Sequence, residues 1–233
     1  TIPLQTKTDA ACNGTSTGSV TAGAAGGTKP YTYTLNLPAG TTVTQSSGIF
    51  TDLPAGDYTV DVQDTPNCGP IQSNILTIEE PTSLVVDTVI TDIISCNNAS
   101  AAIHVTAKGG TPPYQYSYDN GISYEPSSSK TGLSAGSYVV LVLDANGCIE
   151  PAGTFNFTMP AAISLNATPS HVSPCFGGTN GAISALATGG WDSFEYSING
   201  TDYFTSGDFS GLAAGDYTVF AIDTGNCLST TEV

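Results

Sequence analysis

The sequence predicts an all-β protein made of three tandem β-sandwiches, and three observations predict it. One short string recurs at a nearly constant step. Apolar residues alternate with polar ones at the period of a strand, and no helical spacing is found anywhere. The cysteines follow the same repeat, two to a copy.

The recurring string is Leu53-Pro54-Ala55-Gly56-Asp57-Tyr58, Leu133-Ser134-Ala135-Gly136-Ser137-Tyr138 and Leu212-Ala213-Ala214-Gly215-Asp216-Tyr217, at steps of 80 and 79 residues. Ten residues past each tyrosine comes a cysteine, with an aspartate four residues before it: Asp64/Cys68, Asp144/Cys148 and Asp223/Cys227. Upstream lie Gly26-Gly27, Gly109-Gly110 and Gly189-Gly190, each followed by an aromatic strand, and an earlier cysteine opens each copy: Cys12, Cys96 and Cys175. A self-similar period of this kind marks repeat architecture. It divides the chain into residues 1–81, 82–160 and 161–233. The third copy stops six residues after its second cysteine, where the others continue to a proline, so a piece of its last strand is predicted to be missing.

Copy two reads most cleanly. Strands are predicted over Ser83–Ile90, Ala101–Ala107, Tyr114–Tyr118, Tyr138–Asp144 and Thr154–Met159, with weaker ones between Tyr124 and Leu133. Asp119-Asn120-Gly121 and Asn146-Gly147 supply tight turns. About seven strands at this spacing give an Ig-like or fibronectin-III-like sandwich. Short linkers ending at Pro81 and Pro160 predict an extended rod of roughly 100 Å.

Six cysteines allow 15 pairings. Pairing inside each copy, Cys12–Cys68, Cys96–Cys148 and Cys175–Cys227, gives every domain the same closure and is the predicted set. Disulfides place the chain in an oxidising, extracellular compartment. In the recurring string, Tyr58, Tyr138 and Tyr217 have the setting of a tyrosine corner, with the ring in the core and the hydroxyl on upstream backbone.

Composition removes several function classes. Twenty acidic residues stand against four lysines and no arginine, a net charge of −16. Nucleic acid is excluded as a partner, because phosphate binding needs Lys or Arg. Direct membrane insertion is excluded as well, since no apolar run is long enough to span a bilayer. No cofactor is predicted. Calcium at the repeated aspartate is the alternative to an Asp that caps its own turn, and one repeated carboxylate supplies few of the six or more oxygens calcium needs. The two histidines, His104 and His171, do not recur and have no nucleophile motif beside them, so the chain reads as a non-enzyme.

Binding residues are less localised. The late strand has a polar outer face in copy one (Thr59, Asp61, Gln63). The same face carries Leu141 and Leu143 in copy two, and Phe220 and Ile222 in copy three. Apolar residues there predict a covering neighbour: an extra strand, the next repeat or a ligand. Trp191, Tyr203 and Phe204 form a second candidate patch, suited to stacking on sugars. Copy three also has Trp191-Asp192-Ser193-Phe194 where copy two has Thr111-Pro112-Pro113-Tyr114, a change that marks either a specialised contact or, as the favoured expectation, drift in a redundant array.

The combined pattern of Cys, Gly-Gly-Thr-x-Pro-Tyr-x-Tyr, Leu-x-Ala-Gly-x-Tyr-x-Val and Asp-x-x-x-Cys resembles the SprB-type repeat. That repeat occurs in surface adhesins of gliding Bacteroidetes such as flavobacteria. The resemblance implies type IX secretion, cell-surface display, and attachment and gliding over surfaces. A surface polysaccharide or other extracellular ligand, and neighbouring repeats of the same chain, are the implied partners. A passive stalk module of a secreted protein is the alternative that the same resemblance allows.

Overall fold

The computed structural model describes residues 1–65, 69–97, 99–171 and 177–233, and these contain strands and no helix. Copy one holds β1 (Leu4–Thr8), β2 (Gly18–Gly23), β3 (Thr32–Asn36), β4 (Thr42–Gln45), β5 (Ile49–Leu53), β6 (Gly56–Gln63), β7 (Ile71–Gln72) and β8 (Leu76–Ile78). Copy two holds β9 (Val85–Asp92), β10 (Ala101–Lys108), β11 (Gln115–Ser117), β12 (Ser129–Leu133), β13 (Gly136–Leu143) and β14 (Ile149–Phe157). Copy three holds β15 (Ala161–Ser170), β16 (Gly181–Gly190), β17 (Glu195–Ser197), β18 (Asp208–Leu212), β19 (Thr218–Ile222) and β20 (Leu228–Glu232).

Each copy contributes two sheets. They run β1-β2-β5 and β4-β3-β6-β7 in copy one, with β8 also on β6, then β12-β10-β9 and β11-β13-β14, then β15-β16-β18 and β17-β19-β20. By contacts the chain gathers into two compact units. One comprises Thr1–Val89, Val105–Ser128 and Val139–Thr154; the other comprises Ile90–His104, Ser129–Tyr138 and Phe155–Val233.

Period-two alternation builds the cores. In copy one, Val20 and Ala22 of one sheet meet Tyr33, Leu35, Tyr58, Val60 and Val62 of the other, closed by Phe50, Leu53 and Ile78. In copy three, Ile183, Ala185 and Ala187 of β16 face Tyr196, Val219 and Ala221. Side chains that alternate across a pleated strand leave their partners outward, so both sheets present an apolar face to the centre.

The repeated tyrosines donate to the carbonyl four residues back: Tyr58 to Pro54 at 2.9 Å, Tyr138 to Ser134 at 3.1 Å and Tyr217 to Ala213 at 3.1 Å. Tyr58 is fully buried, whereas Tyr138 and Tyr217 are half-buried. A second tyrosine does similar work at the Gly-Gly corner, Tyr31 donating to Gly26 and Tyr114 to Gly109.

The cysteine pairing differs from the one predicted inside each copy. Cys12 bonds Cys148, and Cys96 bonds Cys227, spanning 136 and 131 residues. Cys12–Cys68, Cys96–Cys148 and Cys175–Cys227 are therefore replaced by an offset in which the first cysteine of one copy bonds the second cysteine of the next. The physical reason lies in where the cysteines sit. The loop after β1 is brought to the far turn of copy two, close enough for a Cα–Cα distance of 5.7 Å. Cys68 and Cys175 lie outside the described residues.

Candidate functional site: the stapled junction between repeats

The feature built most alike in more than one copy is the place where one repeat meets the next, and it is assembled from the motifs that the sequence repeats. Its receiving half starts from the aspartate. Asp144 and Asp223 are buried, 4% and 5% exposed. Asp144 Oδ1 accepts the N–H groups of Asn146 and Cys148, and its Oδ2 accepts that of Thr111 at 2.8 Å. Asp223 repeats this with Gly225, Cys227 and Trp191. In copy one, Thr28 N–H donates to Asp64 Oδ2 at 2.9 Å. The carboxylate thus caps its own turn, as the spacing predicted, and also ties that turn to the residue after the Gly-Gly pair. A buried carboxylate is tolerated where backbone N–H groups satisfy it.

This geometry explains the glycines. A Cβ on Gly110 would lie 2.7 Å from Asp144 Oδ2, and one on Gly109 would lie 1.9 Å from Ser83 O. Gly189 and Gly190 face Ala162 O and Asp223 Oδ2 in the same way. All four have positive φ. Two successive residues must bend left-handed with no side chain, so only Gly-Gly fits.

The donating half is the loop that carries the first cysteine. Asn13 Nδ2 donates to Pro81 O at 3.0 Å and to Glu80, and Asn97 Nδ2 donates to Pro160 O at 3.2 Å. In each case the asparagine after the cysteine clamps the proline that ends its own repeat. Ala10 and Ile94 bury their side chains just before these loops.

Across each junction the carbonyl before the cysteine is the acceptor. Asn146 Nδ2 donates to Ala11 O at 2.9 Å and also to Thr111 Oγ1. At the second junction Trp191 Nε1 donates to Ser95 O at 2.6 Å. Gly225 stands where Asn146 does, two residues after the aspartate, and Trp191 stands where Thr111 does, directly after Gly-Gly. A Cβ on Gly225 would be 2.5 Å from Trp191 Cδ1 and 2.7 Å from Ser95 O. The two positions have exchanged jobs: an asparagine beside a threonine in one junction, a tryptophan over a glycine in the other. The Trp191 segment is a specialised contact here rather than drift.

The remaining candidate residues fall elsewhere. Phe204 is exposed and Tyr203 half-buried, in a loop where Tyr196 and Phe204 exchange backbone hydrogen bonds. Leu141, Leu143, Phe220 and Ile222 are half-buried. Over two of them lies the copy's own turn, with Gly121 against Leu141 and Gly200 against Phe220. Copy one has a regular β3–β4 hairpin instead, and its outer face is polar, with Asn36 Nδ2 donating to Thr59 and Asp61. His104 Nδ1 lies 2.8 Å from Ser129 Oγ. Among the described residues, no group of three or more His, Cys, Asp or Glu is placed to hold a metal ion.

Comparison with known proteins bears on these same motifs. The family model described as SprB repeat matches residues 4–40, 88–122 and 173–202. The chain is thus similar to the SprB repeat at three places, one in each copy. Each match includes the first cysteine and the Gly-Gly pair of its copy, while the tyrosine string and the Asp-x-x-x-Cys segment lie beyond the matched residues. No curated protein matches the chain. Among solved structures, three N-terminal domains of the Highly Immunogenic Outer Capsid protein (Hoc) of bacteriophage RB49 are 14% identical, over 98% of this chain and 94% of that one, with a TM-score of 0.45. Extracellular domains 3–5 of Drosophila OTK are 14% identical over 88% and 84%, with a TM-score of 0.39. A C-terminal 282-residue fragment of intimin, solved with the intimin-binding domain of its translocated receptor, is 18% identical over 71% and 67%, with a TM-score of 0.40.

Proposed function

We propose that this chain is a segment of a large repetitive cell-surface adhesin, exported to an oxidising exterior and serving attachment and gliding over surfaces. The observation that carries the reading is the threefold SprB match, joined to junctions that use the matched loops to fasten one repeat to the next. Export by type IX secretion and an origin in gliding Bacteroidetes follow from the same resemblance. The three-domain division at residues 81 and 160 belongs to this proposal too. The target is an extracellular polysaccharide or another surface ligand, reached without catalysis.

One observation favours a second reading, in which these copies only space a distal tip from the cell. Trp191, the side chain best suited to stack on a sugar, gives its indole N–H to Ser95 O at the junction. Tyr203 and Phe204 remain as the aromatic pair for the adhesive reading. The deciding experiment measures the oxidised 233-residue chain on polysaccharide-coated and bare surfaces and on a glycan array. Saturable binding that Phe204→Ala weakens supports the adhesive role. No binding above that of an equally acidic control protein overturns it in favour of the spacer.

A further inference from the structure

The two disulfides form overlapping loops, 12–148 and 96–227, that share residues 96–148. We infer that this overlap makes the repeat array a tether whose extension is capped redundantly, so that either disulfide alone preserves most of the cap.

The inference follows from covalent path lengths. A pull on the two ends of the chain runs from Thr1 to Cys12, crosses to Cys148, returns along the shared segment to Cys96, crosses to Cys227 and leaves at Val233. That path contains about 69 residues, or about 240 Å at ~3.5 Å per fully extended residue. Without either disulfide the path is about 232 residues and about 800 Å. If Cys12–Cys148 alone is lost, the remaining loop still bypasses 96–227, and the path grows only to about 101 residues. If Cys96–Cys227 alone is lost, it grows to about 96 residues. Each single loss therefore adds about 100 Å, whereas losing both adds about 570 Å, nearly three times the sum of the two single losses.

Separate loops closed inside each copy could not behave this way, because each would release its own segment independently of the others. The overlap exists only because the partner of each first cysteine lies one repeat ahead. In any longer array of this repeat the same offset would chain every loop to the next. Reducing conditions would have to open both disulfides before the chain could reach its full contour length.

Single-molecule stretching tests the inference on the full chain. A Cys68→Ser/Cys175→Ser background removes thiols that could exchange with the two disulfides, and non-reducing peptide mapping confirms which bonds are present before pulling. The contour length at full extension is then read for the background, for Cys148→Ser, for Cys227→Ser and for both together. Because the readout is the unfolded length, it does not require the variants to keep the fold. Gains of about 100 Å for each single change and about 570 Å for the double change are the expected result. Additive gains would overturn the proposal. So would Cys227→Ser without effect beside a large gain for Cys148→Ser, the signature of a Cys96–Cys148 bond, or mapping that finds Cys12 and Cys96 bonded to other partners.

Discussion

Single residues in this chain do two tasks at once, and the carboxylates show how. Asp144 and Asp223 are buried where four oxygen lone pairs could go unsatisfied, yet three backbone N–H groups converge on each. The same atoms that cap the turn hold the Gly-Gly corner. Asp119 shows the exposed version of this chemistry. The hydroxyl of Ser123 at 2.5 Å, then the Ser123 N–H, then Ser117 Oγ hold its carboxyl down at about 2. A folded value below the unfolded one, near 3.9, means the proton binds the unfolded chain more tightly. The stabilisation is therefore complete above about pH 4 and is lost as pH falls towards about 2. Copy three has Asn199 at this place, and its Oδ1 accepts from Ser197 Oγ and the N–H groups of Thr201 and Asp202, with no charge to titrate. Asp119→Asn should accordingly keep the turn and remove this one acid-sensitive contribution. Urea midpoints for wild type and variant, compared at pH 5 and pH 2, should converge or cross at the lower pH. A difference that stays constant from pH 5 to pH 2 would refute the assignment.

At the scale of strands and turns, much could be read from the chain alone. Alternation of Ile103 with Val105, and of Tyr138 with Val140 and Val142, locates β10 and β13, because a sheet with one buried face leaves a period of two. Pairs such as Gly109-Gly110 recur ahead of an aromatic strand in every copy before any contact is known. What the repeat could not disclose was which copy supplies a cysteine's partner. Equivalent positions look identical in sequence whether they bond within a copy or one copy ahead, and only the docking of the Cys12 loop on the Asp144 turn distinguishes them. Trp191 was misleading for a related reason: its compensating change, Gly225, lies 34 residues away in the chain but against the ring in space. That pairing makes a prediction. Gly225→Asn alone should destabilise the second junction by about 2–3 kcal/mol, since its side chain must displace the indole and break the bond to Ser95 O. Adding Trp191→Thr should restore most of that loss by recreating the Thr111–Asn146 arrangement of the first junction. Chemical unfolding of the wild type, both single variants and the double variant measures the coupling. A double variant no more stable than Gly225→Asn would show that the two junctions are not interchangeable.

The whole molecule is governed by its charge as much as by its staples. Overlapping loops of 136 and 131 residues each confine the unfolded chain, by about 5 kcal/mol taken singly in the loop-entropy model. They cannot add in full, because they constrain the shared 96–148 segment only once. Against them works a net charge of −16, with four lysines among 233 residues. Two of those lysines are already paired, Lys7 with Asp9 and Lys108 with Asp87. Self-repulsion of this size favours expansion, and it weakens as the Debye length shortens from about 30 Å at 0.01 M salt to about 3 Å at 1 M. The melting temperature should therefore rise with sodium chloride by several degrees between 0.01 and 0.5 M. Calcium offers the discriminating comparison. On the charge argument alone, calcium chloride should act as a screening salt with some extra diffuse attraction to the acidic surface. Its effect should scale with ionic strength and show no saturation in the micromolar range. A sharp, saturable rise at micromolar calcium, reversed by a chelator, would mean that carboxylates from different loops converge on a bound ion. In that event the charge balance would be serving a metal-dependent fold and not only keeping neighbouring arrays apart.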